Sequence, residues 1–234
     1  MLVRGREMAE FVRSRLRDAV FGTQDGLIST LGAVTGIAVG IQSGEAVVIS
    51  GLVIIGVESL SMAAGSYLSA KSQRQYLERL LREEEQAILK DPEGERRELW
   101  AMYRARGYTD QEIAIMVNRL MSDKRLLLED MAHKELGICP AALEEPVGNA
   151  LVMGASYIVG GFVPLIPYFA LSLPMAVPVS IAGTLIALFG FGGLKGRLVG
   201  LTWWRSGLEM LGIAGLAAFA GYMIGRLANL WFQY

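Results

Sequence analysis

The chain has 234 residues, of which 53% are hydrophobic, and its formal net charge is −1. Soluble domains usually contain roughly 45–50% apolar residues, so the chain is too apolar for an ordinary soluble domain. The small net charge argues against a nucleic-acid-binding protein, which would carry a basic surface. A single cysteine, Cys139, excludes an intrachain disulfide framework, and a single histidine, His133, excludes a histidine-rich metal site.

The charged residues are concentrated in one part of the chain. Residues 71–145 contain 13 of the 22 Lys and Arg residues and 16 of the 23 Asp and Glu residues. Most of the remaining sequence is apolar. This separation predicts that the chain lies in two solvents, with water around residues 71–145 and hydrocarbon around most of the rest.

Five apolar stretches are each long enough to cross a bilayer, which takes about 20 helical residues. We therefore predict an all-α, polytopic membrane protein with five transmembrane helices and a three-helix cytoplasmic domain inserted between the second and third spans. The predicted domains are 1–70, with spans one and two, 71–145, which is the insert, and 146–234, with spans three to five. The spans are expected near 19–41, 46–70, 147–170, 174–195 and 207–229.

The distribution of basic residues predicts the orientation in the membrane. Lys and Arg are frequent at the N-terminus, in the insert and between Lys195 and Arg205. The positive-inside rule therefore places the N-terminus and the insert in the cytoplasm and the C-terminus on the far side. The first apolar run is too long for a signal peptide and contains Gln24 and Asp25, so we expect it to be retained. A compact chain without a targeting extension favours a prokaryotic plasma membrane.

Helix signals divide the insert into three segments. Pro92 disfavours continuation of the first helix, and Gly107 is a natural end for the second. Thr109 and Glu112 have capping-box spacing and begin the third helix, which Ser122 and its neighbour Asp123 either kink or restart. The predicted helices cover about 72–90, 93–106 and 109–136.

Two acidic residues lie well inside the predicted spans. A charged carboxylate at the bilayer centre costs about 2.5–3.5 kcal/mol on insertion scales, so Asp25 and Glu58 are expected to face a bundle interior or water and to bind ions. Met62 lies one helical turn after Glu58 and shares its face. A thioether beside carboxylates suits a borderline metal such as Fe²⁺ better than Mg²⁺ or Ca²⁺. The alternatives are an interfacial carboxylate and a methionine that only fills space.

Acidic residues of the insert fall on apolar helix faces. Glu84 lies within the apolar stripe of the first helix, and each of the other two helices also directs glutamates toward the expected helix–helix interface. Buried carboxylates need a partner, which a cation shared between helices would supply. A solvated charged surface is the alternative, and it is the usual fate of a charge run. The candidate cation ligands of the second and third helices are Glu95, Glu98 and Glu135.

Glycines recur at intervals of four residues in the spans, as in Gly32, Gly36 and Gly40, and again in Gly221 and Gly225. This spacing lets helices approach closely in lipid. Packing within the chain and dimerisation are both consistent with it.

Motifs along the whole chain resemble the vacuolar iron transporter family, which includes yeast calcium-cross-complementing-type and nodulin-like transporters. Their order, spacing and topology agree with that family. The motifs are RDAVFGTQDGLISTLGAVTG (17–36), SMAAGSYLSAKSQ (61–73), DPEGERREL (91–99), MAHKELGI (131–138), GGFVPLIPY (160–168) and GYMIGRL (221–227).

The resemblance implies a homodimeric cation/proton exchanger that moves Fe²⁺ out of the cytosol. The aspartate of the family's G-x-x-D-G motif, which lies on the ion path, corresponds to Asp25, and the methionine of its S-M-x-x-G motif corresponds to Met62. The family's cytoplasmic metal site corresponds to Glu84, Glu95, Glu98, Met131 and Glu135. The expected partners are the lipid bilayer, divalent metal ions, protons and a second copy of the chain. No prosthetic group is expected, and Mn²⁺ or Zn²⁺ are alternative cargoes to Fe²⁺.

The sequence departs from the family pattern at two positions. Ile54 stands where better-known members carry a glutamate, and Glu58, one turn later, is the expected substitute. Ala87 stands where the first insert helix would supply a second glutamate, so that site either has fewer ligands or recruits Glu83 or Glu85.

Two other functions are alternatives. A membrane-anchored ferritin-like iron-binding protein or oxidase would need two Glu-x-x-His pairs, whereas the chain offers only the Asp130-x-x-His133 spacing. The second alternative is a Mn²⁺-selective transporter with the same fold, because ligand softness is the only property of the candidate ligands that favours Fe²⁺ over Mn²⁺.

Overall fold

The structure, a computed structural model, describes residues 2–134 and 145–232, with side chains from Arg15 to Lys134 and from Glu145 to Trp231. The described residues are almost entirely α-helical and contain no strand, which confirms the all-α fold class. Their helices are α1 (Leu2–Ile41), α2 (Gly44–Lys90), α3 (Pro92–Ala105), α4 (Asp110–Met121), α5 (Lys124–Lys134), α6 (Pro146–Leu165), α7 (Pro167–Ala170), α8 (Leu173–Val199) and α9 (Trp203–Phe232).

Five of these helices are long and apolar enough to cross a membrane, as predicted. They are the Arg15–Ile41 part of α1, and α2, α6, α8 and α9. The third predicted span, 147–170, comprises α6 and the short α7, which are separated at Ile166.

The chain divides into two compact units. The first contains Met1–Phe11 and Ser69–Glu145, and the second contains Val12–Leu68 and Pro146–Tyr234. In the first unit, α3, α4 and α5 pack with the end of α2 around an apolar core. The core residues are Ile88, Leu99, Tyr103, Ile113, Val117, Leu120, Leu127 and Met131.

Local signals set the helix ends in the first unit. Thr109 and Glu112 form a capping box, in which the Glu112 carboxylate accepts a hydrogen bond from the Thr109 backbone N–H at 2.8 Å. Hydrogen bonds from Thr109 lower the pKa of the Glu112 carboxyl. The cap therefore stabilises the fold above the ordinary glutamate pKa, and this contribution is lost as the pH falls through the lowered value.

The third helix predicted for the insert is two helices, α4 and α5. The Asp123 carboxylate accepts hydrogen bonds from the backbone N–H groups of Arg125 at 3.0 Å and Leu126 at 3.3 Å, so it caps the start of α5. The sequence signal at Ser122 and Asp123 thus marks a restart of the helix rather than a kink.

In the second unit, α1 and α9 meet along the α1–α9 glycine seam, formed by Gly32, Gly36 and Gly40 against Ala217, Gly221 and Gly225. A Cβ atom added at Gly36 would lie 2.8 Å from the Gly221 carbonyl oxygen, and one added at Gly40 would lie 3.2 Å from the Gly225 carbonyl oxygen. The Asn229 side chain also donates a hydrogen bond to the Gly40 carbonyl at 2.9 Å. These glycines therefore serve packing within the chain, one of the two roles considered for their spacing.

Gly221→Ala is expected to lower the thermal unfolding midpoint of the purified protein in detergent. A methyl group at position 221 would collide with the Gly32 backbone. Overpacking of this kind costs about 1–3 kcal/mol. The measurement is thermal unfolding followed by circular dichroism.

The matched control is Gly215→Ala, which adds the same methyl group to α9 where no heavy atom lies within 4 Å. Alanine is favoured over glycine in helices by about 0.5–1 kcal/mol, so this variant should be as stable as the parent or more so. Equal unfolding midpoints for the two variants would mean that the α1–α9 glycine seam does not require close packing of these two helices.

Candidate functional site

Glycines also bring α1 and α6 into backbone contact. A Cβ atom at Gly22 would lie 2.6 Å from the Met153 carbonyl oxygen, and one at Gly160 would lie 3.1 Å from the Leu27 backbone nitrogen. Asp25 lies between these contacts on α1. The close packing of α1 on α6 therefore sets the position of this carboxylate.

Asp25 is half-buried, and its Oδ1 accepts a hydrogen bond from the Ser29 hydroxyl at 3.0 Å. The bond joins residues one turn apart on α1. It holds one carboxylate oxygen and leaves Asp25 able to accept further hydrogen bonds or to contact a cation.

Tyr157 on α6, which was not among the residues predicted from the sequence, completes a polar cluster at this level of the bundle. Its side chain is fully buried beside Ser29 and Thr30, within electrostatic reach of Asp25 and Glu58. We call these five residues the polar junction. A tyrosine in the middle of an apolar span was the available signal, because a buried phenol usually finds a hydrogen-bond partner.

Glu58 and Met62 share a face of α2, as their spacing predicts. Glu58 is exposed in the chain and Met62 is half-buried. A carboxylate at that depth facing lipid would cost about 2.5–3.5 kcal/mol on insertion scales. The exposed side of α2 near Glu58 is therefore expected to face water or protein rather than lipid.

Asp18 is a further carboxylate on α1 and, unlike Asp25, it is buried. It was not predicted from the sequence, because the predicted span began at residue 19. It is 3% exposed and accepts a hydrogen bond from the Ser66 hydroxyl of α2 at 3.3 Å. The Arg17 guanidinium lies 3.4 Å from its other oxygen. Its sequence signal was the pair Arg17-Asp18 directly before an apolar run.

The hydrogen bond between Asp18 and Ser66 also shows how the polar residues of α1 and α2 are aligned along the bundle. Asp25 lies two turns after Asp18 on α1, and Met62 and Glu58 lie one and two turns before Ser66 on α2. Because α1 and α2 run antiparallel, Asp25 on α1 and Met62 and Glu58 on α2 all lie on the same side of this hydrogen bond along the bundle. Carboxylate and thioether groups thus follow one another along neighbouring faces of α1 and α2.

In the first unit, the predicted metal ligands differ in how exposed they are to solvent. Glu84 and Glu95 are each only 8% exposed, and Met131 is fully buried in the apolar core. Glu84 lies one turn before the core residue Ile88, and Glu95 one turn before Leu99. The remaining predicted ligands differ from these: Glu98 is exposed rather than directed into the interface, and Glu135 lies outside the described residues.

The neighbours of Glu84 do not share its position. Glu83 and Glu85 are exposed, and the Glu83 carboxylate lies 3.6 Å from the Arg79 guanidinium. The helix register thus favours Glu84 as the inward glutamate of α2, and Ala87 supplies no second carboxylate.

A polar contact holds α5, which carries Met131, against α3. The Tyr103 hydroxyl donates a hydrogen bond to Asp130 at 3.1 Å, and the Lys134 ammonium donates to the same carboxylate oxygen at 2.6 Å. The ammonium also contacts the Tyr103 hydroxyl and lies 3.9 Å from the centre of its ring. Asp130 is therefore engaged in packing and His133 is exposed, so the Asp130-x-x-His133 spacing does not form an inward ligand pair.

Among the side chains that the structure describes, no three His, Cys, Asp or Glu residues lie close enough together to hold a metal ion. The predicted ligands therefore form two sets, one in each unit: Asp25, Glu58 and Met62 in the second, and Glu84, Glu95 and Met131 in the first.

Five apolar helices with a polar junction among them define a polytopic membrane protein, and ionisable groups at that depth are typical of transport proteins. The chain belongs to the VIT family, whose sequence profile matches residues 16–226. It is an integral membrane protein.

The chain is similar to plant and parasite transporters over most of its length. It is 30% identical to Vacuolar iron transporter 1 of Arabidopsis thaliana over 215 residues, which cover 92% of this chain and 86% of the relative. It is 31% identical to Vacuolar iron transporter 2 of Oryza sativa subsp. japonica over 212 residues, or 90% and 86% of the two chains. Identity to the Vacuolar iron transporter of Toxoplasma gondii is 27% over 225 residues, or 92% and 74%. The relatives are named as transporters, not as enzymes.

Glu84→Gln with Glu95→Gln is expected to weaken binding of a divalent cation to the full-length protein by at least about tenfold. Each amide keeps the shape of the side chain but removes the charge that attracts the cation, and a tenfold loss corresponds to about 1.4 kcal/mol. The measurement is isothermal titration of the purified protein with Mn²⁺, an air-stable stand-in for Fe²⁺.

The matched control is Glu83→Gln with Glu93→Gln, which removes one exposed glutamate from each of the same two helices. This variant should bind Mn²⁺ like the parent. Equal losses in both double variants would show that overall charge, and not the buried pair, attracts the cation.

Proposed function

We propose that the chain is a metal-ion transporter that moves Fe²⁺ out of the cytosol in exchange for protons. The observation that carries the proposal is the half-buried Asp25 in a polar junction within five apolar helices. The names of the relatives, which are vacuolar iron transporters, support iron as the cargo.

Exchange for protons follows from the chemistry of carboxylates. A carboxylate that binds a metal ion must be deprotonated, so protons and metal ions compete for Asp25 and Glu58. Acidity on the far side of the membrane would promote metal release there. The protonated site would then open to the cytosol, where the carboxylates release their protons and can bind metal again.

Ligand softness supports a first-row transition metal as the cargo. Met62 provides a thioether on the same helix face as Glu58, and hard cations such as Mg²⁺ and Ca²⁺ prefer oxygen alone. Fe²⁺ and Mn²⁺ both fit a mixed set of oxygen and sulfur ligands, and the iron named in the relatives favours Fe²⁺. In the first unit, Glu84, Glu95 and Met131 would capture the metal, with Glu98 and Glu135 as the remaining predicted ligands.

A homodimer is part of the proposal. Glu58 is exposed on α2, and Gly65, two turns further along the same face, has no heavy atom within 4 Å of the position its Cβ would occupy. A second copy of the chain over this face would remove the carboxylate from lipid.

The proposed orientation has the N-terminus and the insert in the cytoplasm and the C-terminus on the far side. Arg17 lies at the start of the first candidate span, and Lys195 and Arg197 lie at the end of α8. The positive-inside rule places these basic ends on the cytoplasmic side. The prokaryotic plasma membrane remains a prediction from the sequence, and the relatives are named as vacuolar.

Asp25→Asn is expected to reduce Fe²⁺ uptake into proteoliposomes by at least about tenfold while leaving the protein folded. The amide keeps the shape but loses the charge that holds the cation and the group that binds the proton. The control is Glu209→Gln, which neutralises an exposed carboxylate on α9 and should transport normally. Uptake by Asp25→Asn at the wild-type rate would remove Asp25 from the ion path.

Glu58→Gln is expected to lose the dependence of uptake on the pH gradient more than it loses Fe²⁺ binding. Protonation of this carboxylate opposes metal binding, and an amide cannot couple the two. Uptake would be measured at several imposed gradients, with Glu45→Gln, an exposed carboxylate at the start of α2, as the control. A gradient dependence like that of the wild type would make Glu58 structural and leave coupling to Asp25.

A further inference from the structure

The polar junction contains two buried hydroxyl groups that the transport scheme does not use. The Tyr157 hydroxyl and the Thr30 hydroxyl are both fully buried. Neither has a hydrogen bond of good geometry in the described part of the chain, although the Tyr157 hydroxyl lies within interaction distance of Thr30 and Ser29. A buried polar group without a well-formed hydrogen bond destabilises a folded protein, so such groups in native structures require an explanation.

The two hydroxyls converge from opposite sides of the α1–α6 contact. Tyr157 extends from α6 to lie beside Thr30 and Ser29 of α1. Thr30 faces α6, because a Cβ atom at Gly161 would lie 3.1 Å from its Oγ1. The close approach of the two helices therefore leaves two oxygen atoms directed into one small region.

Charged groups reach this region from two helices. Asp25 contributes from α1 and Glu58 from α2, and both act on the Tyr157 hydroxyl electrostatically. The Ser29 hydroxyl already donates its hydrogen bond to Asp25. Neutral oxygen atoms thus lie beside carboxylates, which together make up the ligand set that divalent cations prefer.

We propose that the Tyr157 and Thr30 hydroxyls form a neutral-oxygen subsite for a divalent cation held by Asp25. The proposal rests on the transport function proposed above. The two oxygen atoms take the place of water molecules in the hydration shell of the cation. They add ligands without adding negative charge, so the cation is bound at the junction and can still leave it.

Tyr157→Phe tests the subsite because it removes one oxygen atom and leaves the ring. In proteoliposomes, KM for Fe²⁺ should rise by roughly tenfold, or about 1.4 kcal/mol, with little change in maximal rate. The thermal unfolding midpoint without metal should stay the same or rise, since the variant removes a buried hydroxyl that lacks a well-formed hydrogen bond. Thr30→Val, which keeps the shape of its side chain, should raise KM in the same direction.

The matched control is Tyr168→Phe. Tyr168 is also buried, and its hydroxyl also lacks a hydrogen bond of good geometry in the described part of the chain, but it lies on α7 in the apolar cluster with Val34, Val47 and Ala176. Removing the Tyr168 hydroxyl should leave KM for Fe²⁺ unchanged. An equal rise in KM for Tyr168→Phe, or a wild-type KM for Tyr157→Phe, would overturn the subsite.

Thermal stability separates a ligand from a packing group. A Tyr157→Phe protein with a lower unfolding midpoint in the absence of metal would assign the hydroxyl to packing and overturn the proposal. If that variant does not fold, the KM of Thr30→Val decides. Wild-type vesicles that take up no Fe²⁺ would contradict the transport function itself, whereas wild-type uptake with unchanged KM in both variants would contradict only the subsite.

Discussion

Backbone-to-backbone contact between helices is the constraint on which the second unit depends. Lipid tails are as apolar as leucine, so apolar attraction does little to hold membrane helices together, and close packing has to replace it. At Gly36 and Gly221, and again at Gly22 and Met153, a carbonyl oxygen of one helix occupies the space where the other would carry a side chain. Any residue larger than glycine at these positions would push the helices apart.

The same constraint determines the chemistry of the polar junction. Because Gly22 and Gly160 let α1 and α6 touch, the Tyr157 side chain reaches across to Ser29 and Thr30. A wider separation would admit lipid or apolar side chains between the carboxylate and the hydroxyls. The glycines therefore support the structure and also decide which polar groups meet.

The sequence was sufficient for the features that depend on local or one-dimensional signals. The length of apolar stretches predicted five spans, because bilayer thickness fixes the number of helical residues needed to cross it. The capping box at Thr109 and Glu112 forms because its geometry involves only neighbouring residues. The inward position of Glu84 follows from helical periodicity.

Features that depend on contacts between helices were not predictable in this way. Asp18 was missed because the predicted first span began one residue later, and only its contact with Ser66 shows that it is buried between helices. Tyr157 was missed because the sequence of an apolar span does not show which neighbouring helix a tyrosine hydroxyl faces. Glu98 was expected to face inward, yet it lies three residues after Glu95, and the narrow apolar face of a short helix places it outside.

The uneven contact between helices also has a mechanical consequence. The backbones of α1 and α9 interlock along the glycine seam, so neither can slide past the other without a step of about one helical turn, or 5.4 Å. By contrast, α2 approaches α6 less closely. A Cβ atom at Gly154 would lie 3.3 Å from the Ser59 carbonyl oxygen and 3.1 Å from the Ala63 methyl group, and the Ile55 side chain packs against Gly161. The Ile55 side chain can change rotamer during a motion, whereas interlocked carbonyls cannot. We therefore expect α1, α6 and α9 to behave as one rigid frame, with α2, which bears Glu58 and Met62, as the part that is free to tilt against it.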